Sequence, residues 1–353
     1  MTDAQYAEEL LLKFVSTWSG PDANMRSILD LASTEMAAIG LEPATNEELA
    51  AVSAHHGHEG VMFNGHLDTV PMGQGWTRKP GDREGSLLYG RGTADMKAGC
   101  AAMLAAAREL REKDVPFSLL FTTDEETTMK AAMKLHATGL VKKAAAVVVG
   151  EPTDLTIVGS EKGILWFELT TKGKSAHGSM PHLGDNAILK MTKILLAFEP
   201  YTRPKNYLEE VTVNIGAIDG GSKPNVVADL CAMDLDVRYP PHLSKEEVMR
   251  LVETTIHAVG VTADIDIKHE VPAAQVNLNS HHIRTMKEIA GQEVRTVSYG
   301  TEMAFYTQSN PRCLVLGPGK SEMCHVPDEH VDLSQVTRAA EIYARYAEAL
   351  APK

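Results

Sequence analysis

Cysteine is scarce and unpaired in this 353-residue sequence: Cys100, Cys231, Cys313 and Cys324 lie far apart, with no CxxC among them. That spacing argues against a disulfide framework and against a thiolate zinc site, so any metal must be held by histidines and carboxylates. Positive charge is short as well. The formal net charge of -13, with no Lys/Arg run and no aromatic-basic interleaving, argues against nucleic-acid binding and for a small substrate. No uncharged apolar run approaches the length of a membrane span, so no membrane partner is expected. Met1 to Gly20 lacks a basic region followed by an apolar stretch, and the expected location is the cytoplasm. A Gly-rich phosphate loop, an internal repeat and a low-complexity linker are missing too.

What is present is ordinary globular material, 44% hydrophobic and 23% charged. The length exceeds what one core usually supports, so a main domain with a second one appended or inserted is expected. The first 150 residues alternate short β-rich runs with helical patterns: strands at Val61 to Asn64, Phe117 to Thr123 and Ala145 to Val149, helices at Ala98 to Lys113 and Thr127 to Thr138. After Gly159 the order becomes β-α-β-β-α-β, that of a small ferredoxin-like sandwich. After Pro272 come a helix, a strand at Cys313 to Leu316 and a terminal amphipathic helix, Leu333 to Leu350. The expected fold is α/β. Residues 1–160 plus 273–353 form a catalytic domain with a mixed sheet flanked by helices, and 161–272 an inserted ferredoxin-like lid and dimerisation domain.

Ligands of an open α/β sheet bind beyond the carboxyl ends of its strands. Those ends lead here into His66 and Asp68, into Asp124-Glu125-Glu126, into Glu151 and toward His325, while Asp95 precedes the Ala98 helix. Two histidines and three carboxylates suit a pair of borderline-hard divalent ions, with one carboxylate shared. His55, His56 and His58 read instead as a polar, Gly-containing surface turn.

The runs Gly65-His66-Leu67-Asp68-Thr69-Val70-Pro71, Gly90 to Gly99, Thr123-Asp124-Glu125-Glu126 and Gly150-Glu151-Pro152-Thr153 resemble the di-zinc peptidase and deacylase family of acetylornithine deacetylase, succinyl-diaminopimelate desuccinylase and glutamate carboxypeptidase. The likeness implies that His66, Asp95 and Glu151 bind one metal and that Asp95, Glu126 and His325 bind the other. It implies two Zn2+ per chain, with Co2+ or Mn2+ as substitutes, and Glu125 as the general base that makes a metal-bridging hydroxide. Asp68, two residues past His66, can fix the tautomer of that imidazole, and joins the catalytic set. His177, in Gly173-Lys174-Ser175-Ala176-His177, resembles a family histidine that donates to the developing oxyanion, in dimeric members from the neighbouring subunit. Asn225 and Arg238 match positions that contact substrate in relatives, the arginine clamping a carboxylate. A surface histidine and a strand-end salt bridge are rival readings of His177 and Arg238.

The stretches Tyr299-Gly300-Thr301-Glu302, Leu316-Gly317-Pro318-Gly319 and His325-Val326-Pro327-Asp328-Glu329 are most similar to acetylornithine deacetylases, whereas Thr127-Thr128-Met129 departs from the Gly-Ser of many relatives. The expected activity is removal of an acyl group, acetyl above all, from an N-acyl amino acid such as N-acetylornithine, in a homodimer formed through the lid. A metallo-dipeptidase or carboxypeptidase, or a desuccinylase-like enzyme, is the alternative; a non-catalytic binding protein on the same fold is a remote one.

Overall fold

The computed structural model describes residues 2–352, so positions 1 and 353 at the ends of the expected catalytic domain lie outside the described residues. The chain divides into two compact units. Of the described residues, 2–159, 275–295 and 301–352 make the larger, and 160–274 and 296–300 the smaller.

The larger unit is built on a nine-stranded sheet. Its spatial order is Ala44–Asn46, Ala51–His56, Phe117–Thr122, Val61–His66, Val147–Val149, Cys313–Val315, Ile157–Glu161 and Ala274–Gln275, with Val294–Val297 pairing to Ile157–Glu161. Phe117–Thr122, Val61–His66, Val147–Val149 and Cys313–Val315 run parallel, and every one of their residues is buried. Continuous apolar runs such as Val147-Val148-Val149 suit strands covered on both faces. Among the covering helices are Asp3–Ser16, Ala98–Glu112 and Leu333–Leu350, the second rich in alanine, which lets neighbouring elements approach closely. Because the four central strands share a direction, their carboxyl ends deliver their following loops to one edge of the sheet. Gly99 and Gly317 permit convergence there: a Cβ on either would collide with the carbonyl of Gly150. A small antiparallel sheet, Arg83–Glu84, Leu87–Tyr89 and His330–Asp332, ties the C-terminal segment to the segment preceding Asp95.

The smaller unit is an antiparallel four-stranded sheet in the order Thr212–Gly220, Leu230–Tyr239, Gly163–Lys172 and Asp264–Val271. Its helices Ala187–Phe198 and Lys245–Ala258 fall after the first and third strands in sequence, which gives the β-α-β-β-α-β order. Leu165, Phe167 and Leu169 point into a core with Met191, Ile194, Phe198, Val248 and Val252, while Trp166, Glu168 and Thr170 alternate to the other face. Asn186 and Ser244 start the two helices by accepting backbone N–H bonds, Ser244 in a reciprocal capping box with Glu247.

Two local readings need correction. The helix expected over Thr127 to Thr138 is shortened to Lys130–Leu135, because the Asp124 carboxylate accepts from Thr128 Oγ1 and from the N–H groups of Lys130 and Ala131, folding the preceding residues into a turn. His55 and His56 end the strand Ala51–His56, with only His58 in the turn beyond.

Candidate metal centre

Seven of the expected site residues, His66, Asp68, Asp95, Glu125, Glu126, Glu151 and His325, belong to the larger unit. His66 closes the strand Val61–His66 and is fully buried. Its Nδ1 lies 3.0 Å from the Asp68 carbonyl, and since a carbonyl only accepts, Nδ1 carries the proton. Nε2 then directs its lone pair at Asp95 Oδ1, 3.1 Å away, with Glu151 Oε1 at 3.5 Å. Two acceptors meet at such distances only with a proton or a cation between them.

The same pattern recurs at His325, whose Nε2 lies 3.1 Å from Glu126 Oε1 and 3.3 Å from Asp95 Oδ2. His66, Asp95 and Glu151 thus form one group, and Asp95, Glu126 and His325 another, the ligand atoms of each lying within 4.8 Å of one another. Asp95 belongs to both, one carboxylate oxygen toward each histidine. It sits in the short segment Thr93–Lys97, where the backbone at Asp95 and Met96 is non-helical and the peptide between them is cis.

Electrostatics mark the cluster as short of positive charge. His66 is drawn well above its ordinary pKa: burial opposes its charge, but Glu151, Asp68 and Asp95 outweigh that. His325 is pushed up to about 10 by its bonds to Asp95 and Glu126. Burial, reinforced by Asp95 and Glu126, pushes Glu151 up to about 7. Asp95 is held well below the usual carboxylate range, burial being overcome by the two histidines. Glu151 is buried, and its Oε1 has no hydrogen-bond partner. An orphaned carboxylate oxygen among nitrogen and oxygen ligands fits a divalent cation in the group of His66, Asp95 and Glu151, and the carboxylate and imidazole donors of the second group are of the same kind.

Glu125 belongs to neither group. Its Oε2 lies 3.9 Å from His66 Nε2, and burial followed by the charges of Glu151, Glu126 and Asp95 raises its pKa well above the ordinary value. The tautomer contact expected of the Asp68 carboxylate is made chiefly by the backbone carbonyl of the same residue. The closer partner of His66 Nδ1 is the Asp68 carbonyl, its carboxylate Oδ1 standing at 3.4 Å, and that carboxylate accepts from the N–H groups of Glu125 (3.4 Å) and Glu126 (3.1 Å). It braces the turn that carries both glutamates.

His177, Asn225 and Arg238 belong to the smaller unit. His177 and Asn225 are exposed neighbours: Gly178 N–H donates to the Asn225 carbonyl at 2.7 Å, and His177 bridges to Val226. The N–H of Ser179 donates to His177 Nδ1 at 3.2 Å, so Nε2 carries the ring proton and is the outward donor. Arg238 makes a two-point pair with Asp236, at 2.7 and 2.9 Å, the salt bridge that rivalled its substrate role. Sequence reasoning gave no role to Glu329 or Arg91, which form a buried ion pair at 2.6 Å beside Asp95. Their separation along the chain hides that contact.

Residues 62–349 match the peptidase family M20/M25/M40. The chain is 33% identical over 307 residues to an acetylornithine deacetylase of Aliivibrio salmonicida, covering 82% of this chain and 81% of that protein. It is 31% identical over 311 residues to that of Proteus mirabilis, covering 83% and 80%. In fold it is similar to a tripeptidase from Staphylococcus aureus, with a TM-score of 0.84, 20% identity and 99% of each chain covered. A Bacillus cereus aminopeptidase is similar at TM-score 0.80 and 21% identity, covering 98% of each chain. The chain therefore belongs to the peptidase family M20/M25/M40 and is a metal-dependent hydrolase.

Proposed function

We propose that this chain removes the acyl group, most often acetyl, from an N-acyl amino acid of the N-acetylornithine type, using two Zn2+ ions or, in their place, Co2+ or Mn2+. The observation that carries the reading is the sharing of Asp95 between two ligand groups while Glu125 stays outside both. His66, Asp95 and Glu151 hold one ion, and Asp95, Glu126 and His325 the other. When bound, such a pair polarises the amide carbonyl and makes water a nucleophile at neutral pH.

Glu125 accepts a proton from the attacking water and returns it to the leaving nitrogen as the C–N bond breaks. Asp68 keeps Glu125 and Glu126 in place through their backbone N–H groups and supports the His66 tautomer. His177 Nε2–H stabilises the oxyanion, with Asn225 beside it. Arg238 receives the substrate carboxylate, which must compete with Asp236 for the guanidinium. The boundaries of the two compact units support reading residues 161–272 as an inserted lid.

The proposed assembly is a homodimer through the smaller unit. Its edge strand Thr212–Gly220 has one neighbour only in the sheet, and Leu189, Leu196 and Ile218 expose 63%, 57% and 48% of their surface. A β-edge and apolar side chains suit a second copy. The proposed compartment is the cytoplasm, where all four cysteines remain thiols. Among the described residues, no helix is long and apolar enough to cross a membrane.

The test is amine release from N-acetylornithine, other N-acetyl amino acids, N-succinyl-diaminopimelate and dipeptides, using metal-stripped protein titrated with Zn2+. A maximum on acetylated substrates at two equivalents supports the reading. A maximum on dipeptides overturns the deacetylase assignment while keeping the chemistry.

A further inference from the structure

We infer that Glu329 is a positioning residue for the metal centre, aligning the shared ligand Asp95 through its backbone. This rests on the reading of Asp95 as the ligand common to both ions.

Glu329 is fully buried, immediately before the strand His330–Asp332. That strand pairs antiparallel with Leu87–Tyr89, His330 opposite Tyr89, and Gly90 N–H donates to the Glu329 carbonyl at 2.9 Å. The register sets Glu329 beside the turn that holds Asp95. One carboxylate oxygen, Oε1, accepts from Ala94 N–H at 2.9 Å and from Asp95 N–H at 3.1 Å. The other, Oε2, accepts from Arg91 Nη1 at 2.6 Å. Arg91 is itself buried, donates from Nη2 to the Met72 carbonyl at 3.2 Å and lies over the Trp76 ring. The glutamate thus has fixed partners on both oxygens, and the peptide bearing Asp95 cannot turn without breaking them.

Asp68 does the same for Glu125 and Glu126. Both acidic ligand turns are therefore held by a carboxylate from another segment that binds backbone N–H groups. Glu329 has a second consequence: it follows His325 by four residues, so it ties two ligand-bearing segments together.

The discriminating variants are Glu329→Gln and the double Arg91→Met/Glu329→Gln. A glutamine has one oxygen and one NH2 group, so against Arg91 on one side and two N–H groups on the other it must turn a donor toward a donor. With Met at 91 the glutamine oxygen is free to face the two N–H groups. Zn2+ affinity is read by competition with a chromophoric chelator, well below each apoprotein's melting temperature. The expected result is a Kd raised roughly 10- to 100-fold in Glu329→Gln and restored to within about threefold of wild type in the double variant. An unchanged Kd in the single variant overturns the inference, as does a double variant that binds more weakly than the single. Should the single variant not fold, the double variant decides: a Kd within about threefold of wild type supports positioning and a Kd raised about 10-fold or more overturns it. Asp95→Ala is the control. If it binds Zn2+ like wild type, the metal-centre reading itself fails, and this inference with it.

Discussion

In the smaller unit, Lys162 is fully buried and its ammonium donates to the carbonyls of Tyr207 and Glu210, both at 2.8 Å, and to Thr212 Oγ1 at 3.2 Å. In the larger unit Glu151 is also buried, yet its Oε1 has no hydrogen-bond partner, and the nearby histidine nitrogens face carboxylates. Both units bury charge, with opposite outcomes. Three acceptors match the three ammonium protons of Lys162, so that group serves architecture. The carboxylate cluster lacks the positive charge that would complete it, so it is equipped to bind a cation. Between these two residues, completeness of hydrogen bonding rather than burial makes the difference.

The largest effect that sharpens this contrast is in the functional cluster. Glu125→Ala should lower kcat roughly 100- to 10,000-fold while metal content, measured by plasma emission after dialysis, stays at the wild-type level. A variant that also lost metal would make Glu125 a ligand. His177→Ala should reduce kcat roughly 100-fold or more with little change in metal content, as expected for loss of one oxyanion donor. Unchanged turnover would return His177 to the surface reading.

The structural side makes a different kind of expectation. Lys162→Met removes the donor of three part-buried hydrogen bonds and should cost about 2–4 kcal/mol of stability in urea unfolding, with metal affinity unchanged. A loss of metal at full stability would break the contrast from its other end.

A smaller effect is expected at His282, whose ring is buried in the larger unit with Nε2 3.4 Å from the Cys313 carbonyl and Nδ1 unpartnered. Burial, aided by Arg312, lowers its pKa from 6.5 to about 4. The unfolded chain therefore takes up the proton near pH 6.5 while the folded chain stays neutral until about pH 4, so stability falls as pH drops through that window. Relative to His282→Gln, wild type should lose up to about 3 kcal/mol between those limits, measured by urea unfolding at each pH. Parallel pH curves for the two proteins would contradict it.

Legibility in the sequence followed locality. His66, Glu125, Glu126 and Glu151 stand at or just after the ends of buried strands, where apolar runs give way to polar residues, and a pattern along the chain is enough to find them. The ferredoxin-like order of the smaller unit was readable for the same reason: alternation in strands such as Gly163–Lys172 and caps such as Asn186 are local signals. The N-terminal helices Asp3–Ser16 and Met25–Ala38 escaped notice although Thr2 and Gln5 form a capping box at the start of the first. The strand Ala51–His56 was missed because its histidines resemble turn residues, while its pairing partner, Phe117–Thr122, lies far along the chain. Glu329 was beyond reach for a similar reason. Its function depends on an antiparallel register with Leu87–Tyr89, and nothing in the run His325-Val326-Pro327-Asp328-Glu329 states which segment will lie beside it. Arg238 shows the converse: Asp236, its partner, is two residues away, so the local alternative could be named from sequence.

The sharing of Asp95 is tested most directly by counting metal per chain in Asp95→Ala, Glu151→Ala and His325→Ala after equilibration with Zn2+ and removal of weakly held ions. The account predicts two ions in wild type, one in each of the Glu151 and His325 variants, and none held tightly in Asp95→Ala. One ion retained by Asp95→Ala at wild-type affinity would contradict it.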